Sequence, residues 1–181
     1  KNIDFKDWQQ QYNAHLTNFK FNEKYITDKN PLNFLWIGFI RIIFPNAKII
    51  HCYRDPKETC LSIYKNNFPG TDLGWTYNQN ELGTYYNLYK NLMKFWHNLI
   101  PNYIYDIKYE DLINNQEKES KSIIKACGLK WEKECLNFHK NKKSIKTLSI
   151  TQARQKIYKT SLNLSENYKF ELKELFSILS K

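Results

Sequence analysis

Apolar positions recur along most of this chain at helical spacing, and two short runs break that rhythm. Trp8, Tyr12 and Leu16 recur every four residues and predict a helix over 4–19. Leu32, Leu35, Trp36, Phe39, Ile40 and Ile43 predict a second over 31–44, ended by Pro45-Asn46. The broadest stripe joins Leu82, Tyr85, Tyr86, Tyr89, Leu92, Met93, Trp96 and Leu99, and predicts a helix over 81–100 that Pro101 stops. An aromatic stripe of that kind reads as core rather than as a ligand box. A helix over 116–127 is closed by Gly128 as its C-cap. Ser165 is expected to cap a final helix carrying Tyr168, Leu172, Leu175, Phe176 and Leu179.

The two interruptions are of strand type. Residues 47–52 (AKIIHC) form a short continuous apolar run, the signature of a buried parallel strand. Tyr103, Tyr105, Ile107 and Tyr109 alternate and predict a strand over 103–109. Between them, 68–80 contains Pro69-Gly70 and Gly74 and reads as a loop. Helices alternating with strands imply an α/β fold with a mainly parallel sheet and helices on both faces.

The chemistry concentrates where the first strand meets the next helix. Tyr53 and Arg54 fall at the strand's carboxyl end. Asp55 suits the N-cap, Pro56 the first helical position, and Glu58 completes a capping box. Open α/β sheets bind ligands at such strand ends. The layout can hold a phosphate by backbone dipole and side-chain charge together. Thr59, Ser62 and Asn66 share one face of the helix, and Ser62 can donate to an anion held by Arg54. The bland alternative is that Arg54 pairs with a surface carboxylate and Ser62 is merely solvated on the helix.

Length and composition bound these readings. The chain has 181 residues, 41% hydrophobic and 16% aromatic, enough for one domain spanning 1–181 with its own core. No apolar run approaches a membrane span, and no signal peptide is visible. Cys52, Cys60, Cys127 and Cys135 show no metal-binding spacing and read as buried free thiols, which points to the cytoplasm. The net charge of +10 suits a nucleic acid, an acidic surface or an anionic nucleotide. No zinc finger or RNA-binding signature is present, so a nucleic-acid partner is not expected. The basic run 139–146 (HKNKKSIK) reads as a solvated loop, although it precedes a segment with a functional reading. No internal repeat is evident.

Motif order then adds a family. TDKNPLNF, RIIFPNAKIIHCYRDPKETCLSIYKNNF, IKYEDLI, ACGLKWEKECLNFH and TLSITQARQKIYKTS resemble the bacterial sulfotransferases often fused to helical repeats. They resemble the tyrosylprotein sulfotransferases more distantly. The resemblance runs from about Asp28 to the last helix. It implies a P-loop-NTPase-like sulfotransferase fold. It also implies transfer of a sulfuryl group from 3′-phosphoadenosine 5′-phosphosulfate (PAPS) to a hydroxyl or amine, leaving adenosine 3′,5′-bisphosphate (PAP).

Residue by residue, the resemblance implies that Arg54 and Ser62 hold the donor's 3′-phosphate and that Tyr109 lies by the adenosine. It implies that Lys29 stabilises charge on the leaving oxygen, with Ser149 assisting. Ser149 and Lys159 close over the nucleotide from a late loop that also holds Gln152 and Arg154. Asn66 falls where the tyrosylprotein relatives use a further arginine, which makes the pocket less basic. No metal is expected, because the donor is already activated. The acceptor is a small molecule, a glycan or a protein, and nothing in the sequence selects among them or sets the oligomeric state.

One departure stands out. The family opens with a strand, a glycine-containing loop that cradles the 5′-phosphosulfate, and a helix bearing the usual base. None of the 5 glycines (Gly38, Gly70, Gly74, Gly83, Gly128) sits in such a context. The expectation is a fold lacking that strand-loop-helix, its base outside this sequence. His51 and His97 are assigned structural roles in strand and core helix, and His15 and His139 are unassigned. The alternative function is a truncated or degenerate relative that binds a nucleotide or partner without catalysis.

Overall fold

The computed structural model describes residues 5–17, 24–68, 73–141, 154–159 and 162–180. Helix α1 (Phe5–Thr17) lies against the outside of the molecule and buries none of its residues. Its Phe5 and Trp8 rings meet Phe39 at 6.3 and 5.9 Å. The stretch expected as one helix over 31–44 divides: a 3-10 segment, Pro31–Trp36, leads into α2 (Ile37–Ile43). Asn30 caps it by accepting from the Leu32 amide.

Strand β1 (Ile49–Tyr53) and strand β2 (Ile104–Lys108) pair in parallel, with Ile49 opposite Ile104 and Tyr53 opposite Lys108. They form a two-stranded sheet among the described residues. The parallel pairing agrees with the sequence. The burial does not: no β1 residue is fully buried, and Cys52 and Tyr53 are exposed. Among the described residues each strand pairs along one edge, so neither is enclosed as a central parallel strand would be. β2 is also shorter than expected, because Tyr109 begins helix α5 (Tyr109–Asn114); Ile104 and Ile107 are buried.

Helix α3 (Pro56–Tyr64) starts where expected, with Asp55 accepting from the Lys57 and Glu58 amides. Helix α4 (Gln79–Leu99) is capped by Asn78 and carries the aromatic stripe. Helix α6 (Gln116–Ala126) ends toward Gly128, whose φ of 70° is the left-handed turn that favours glycine. Helix α7 (Lys173–Leu179) closes the described chain.

Ser165 does not cap that last helix. It sits within a 3-10 turn, Leu164–Tyr168, and its amide donates to Glu58 Oε1 at 2.6 Å. The start of α7 is satisfied from α4 instead. Gln79 donates to the Glu171 carbonyl at 2.9 Å and accepts from the Leu175 amide at 3.2 Å. Asn87 donates to the Ile178 carbonyl at 2.9 Å. Two apolar clusters result. One joins Cys60 and Leu61 of α3, Leu82 of α4, and Leu172, Leu175, Phe176 and Leu179 at the C-terminal end. The other joins Ile37, Met93 and Ile104 beneath the sheet. Gly38 is needed there, since a Cβ would come within 2.8 Å of the Trp96 ring.

Candidate functional site

Arg54 leaves the end of β1 and turns back along the first turn of α3. Its Nη2 donates to Glu58 Oε2 at 2.9 Å, a pair one helical turn apart. Glu58 is 4% exposed. Its other oxygen accepts from the Ser165 amide, so one buried carboxylate joins the arginine to the C-terminal segment. The guanidinium also lies over the Tyr109 ring, 5.0 Å from its centroid, a cation–π placement. Arg54 does pair with a carboxylate, but with the buried Glu58 and not with a surface one.

The expected capping box does not form. The Asp55 amide donates to Glu110 Oε1 at 3.0 Å rather than to Glu58. The Asp55 carboxylate takes the Lys57 and Glu58 amides, and its carbonyl takes the Thr59 amide. The donors at the start of α3 are thus already engaged, and Pro56 has none. The backbone half of the expected phosphate site is replaced by an internal cap, which leaves anion recognition there to side-chain charge.

A cleft of about 450 Å³ opens beside this turn, lined in part by Tyr53, Arg54, Tyr86, Lys90 and Lys108. Of the expected donor-binding and catalytic residues, Arg54 lines it, and Tyr109 adjoins it through the arginine. Ser62 is half-buried farther along α3, and Asn66 donates to its backbone carbonyl at 2.6 Å. Lys29 is exposed on the approach to the Pro31–Trp36 segment. Its neighbour Asp28 accepts from Tyr12 at 2.6 Å and from Asn33 at 3.4 Å. Arg154 is half-buried and Lys159 exposed, outside the cleft lining. Ser149 and Gln152 lie outside the described residues.

The cleft also holds two histidines expected to be structural, His51 and His97. His51 faces Asp106 across the β1–β2 register, with Nδ1 2.6 Å from Oδ1. Its Nε2 lies 2.5 Å from the Tyr89 hydroxyl. His97 Nε2 approaches the other Asp106 oxygen at 3.2 Å. Burial, then the charges of Asp106 and Tyr53, push the Tyr89 phenol up to about 12. Burial is the main cause that raises Tyr86 as well, so both phenols stay neutral in ordinary buffers. On the core side, burial and then Asp55 push the Cys60 thiol up to about 12. The spacing of Arg54 and Glu58 was visible in the sequence as an i, i+4 pair. The His51–Asp106 contact needed the strand register.

The chain matches the sulfotransferase family over residues 2–133. A protein of Aquifex aeolicus (strain VF5), named only as uncharacterized, is 35% identical over 159 residues, 86% of this chain and 21% of that protein. The omega-hydroxy-beta-dihydromenaquinone-9 sulfotransferase Stf3 of Mycobacterium tuberculosis (strain CDC 1551 / Oshkosh) is 28% identical over 114 residues, 56% of this chain and 28% of that enzyme. A putative protein-tyrosine sulfotransferase of Caenorhabditis briggsae is 25% identical over 114 residues, 63% of this chain and 40% of that protein. The chain therefore spans between about a fifth and two fifths of these relatives' lengths. By this match, which covers most of its length, the chain belongs to the sulfotransferase family.

Proposed function

We propose that the chain is the nucleotide-holding part of a sulfotransferase that takes its sulfuryl group from PAPS. The observation that carries this is Arg54: a guanidinium at the end of a parallel strand, stacked on Tyr109, at a cleft also lined by Lys90 and Lys108. A planar fork of five donors can bridge Glu58 and a second anion, such as a 3′-phosphate. The Tyr109 ring offers an aromatic surface for a purine. Ser62, Arg154 and Lys159 are proposed to complete the nucleotide contacts.

The transfer breaks the bond between sulfur and the bridging phosphate oxygen and forms one from sulfur to the acceptor oxygen or nitrogen. The acceptor's proton passes to a base. Negative charge grows on the bridging oxygen, and a fixed cation there lowers the barrier. Lys29 is proposed for that role, assisted by Ser149. Lys29→Ala in the full-length protein should then lower turnover more than it weakens PAP binding, because its charge is matched to the transition state. The acceptor is proposed to be a small molecule, a glycan or a protein. The cytoplasm is proposed as the compartment, supported by cysteines that are all free thiols.

A calorimetric comparison of PAP with adenosine 5′-monophosphate tests the reading. PAP should bind at least tenfold more tightly, the difference being the 3′-phosphate that Arg54 is proposed to hold. Equal affinities, or no binding of either, would overturn the donor assignment.

A further inference from the structure

His51, His97 and Asp106 are far apart in sequence and share no metal-binding spacing. The fold brings them together from three elements: β1, the last turn of α4, and β2. One ligand atom from each lies within 4.8 Å of the others. We propose that these three side chains form a site for a divalent transition metal of the zinc type, with a further coordination position open to the cleft.

The donor set selects the metal class. Two imidazole nitrogens and one carboxylate suit zinc, cobalt or nickel, and are a poor match for calcium or magnesium, which prefer oxygen alone. Metal bonds of about 2.0–2.2 Å at tetrahedral angles put ligand atoms about 3.3–3.6 Å apart. The His97–Asp106 separation of 3.2 Å is already close to that value. His51 and His97 meet different oxygens of Asp106, so the carboxylate has to turn to offer one oxygen to the ion, and the 2.6 Å His51 contact has to open by up to about an ångström. The side chains of His51, His97 and Asp106 are 16%, 36% and 41% exposed, so an ion can enter from solvent.

The surroundings are also of the right kind. A metal-bound imidazole usually donates its other ring N–H to an oxygen that fixes the tautomer. The Tyr89 hydroxyl, 2.5 Å from His51 Nε2, can accept that proton and leave Nδ1 facing the ion. The competing arrangement has no ion: both imidazoles donate N–H to the Asp106 carboxylate and Tyr89 donates to His51. The same distances allow it, so titration with metal decides between the two.

The protein is stripped with a chelator and titrated with Zn²⁺ by calorimetry and with Co²⁺ by visible absorption. The expected result is one ion per chain, a four-coordinate cobalt spectrum without thiolate charge transfer, and a melting temperature that rises with metal. His97→Ala should weaken binding at least tenfold, while His15→Ala, on exposed α1, should leave it unchanged. Asp106→Asn gives a second reading should His97→Ala fail to fold. Absence of binding to the stripped wild type would overturn the proposal. So would wild-type affinity in both site variants, or a cobalt spectrum dominated by sulfur. This test is independent of the donor assignment, since it needs neither PAP nor activity.

Discussion

Helix α3 borders two regions of opposite character. Along its length, Cys60 and Leu61 pack with Leu82, Leu172, Leu175, Phe176 and Leu179 into a dry cluster. At its start, Arg54 and Asp55 face a cleft that also holds His51, His97 and Asp106. The dry side keeps its titratable group neutral, as the Cys60 thiol shows. On the cleft side the arginine, histidine and carboxylate groups are paired and partly reachable from solvent. Glu58 stands between the two. Its buried carboxylate faces Arg54 on one oxygen and the C-terminal segment on the other. The comparison teaches that the apolar side fixes where α3 and α7 lie, and that a single buried charge passes that placement to the arginine.

The largest break is on the dry side. Leu175 is 0% exposed, and Leu175→Ala should cost about 4 kcal/mol in urea unfolding, near the upper part of the usual range for a buried leucine. Because no residue of α7 lines the cleft, the variant should leave the cleft chemistry intact wherever it remains folded. A loss under about 1 kcal/mol would mean that α7 is not part of the cooperative core.

Glu58→Ala comes next. Removing one partner of a buried pair costs about 3–5 kcal/mol, and Arg54 at 20% exposure argues for the lower end. Glu58→Gln should recover part of the loss, since a neutral amide oxygen can still accept from the Ser165 amide. Equal stability of the wild type and Glu58→Ala would show that the junction carries no energy.

Alkaline pH sharpens the contrast more gently. The Cys60 thiol is raised in the folded state, from an ordinary value near 9 to about 12. Its contribution is therefore fully present below pH 9 and is lost as the pH rises toward 12, because the unfolded chain releases its proton first. Melting temperatures of the wild type should fall across that window. Cys60→Ala should fall less steeply; identical slopes would remove burial of the thiol as a cause.

The sequence disclosed what depends on neighbours in the chain. Asp55 followed by Pro56 placed the start of α3, and Gly128 marked the end of α6, because both act within one turn. The parallel pairing of the strands followed from the helix between them. What depended on distant partners was hidden. Ser165 resembled a helix cap, but Glu58 takes its amide and Gln79 serves α7 in its place. Glu58 resembled half of a capping box, yet Glu110 holds the Asp55 amide. The run 47–52 resembled a buried strand, and its exposure was set by how many strands flank it. The place of Arg54 at the strand end was legible from its neighbours, while the contact of Asp106 with His51 depends on the strand register.

Arg54 is proposed to hold the donor nucleotide's phosphate. Arg54→Ala alone would strand a buried Glu58 carboxylate, so the comparison is best made in a Glu58→Gln background. PAP is titrated by calorimetry into Glu58→Gln and into Arg54→Ala/Glu58→Gln, both checked for folding. Loss of a charge-assisted hydrogen bond of about 1.5–3 kcal/mol predicts a fall in affinity of about 10- to 150-fold on removing the arginine. The same affinity in the two proteins would contradict the assignment and place the phosphate elsewhere.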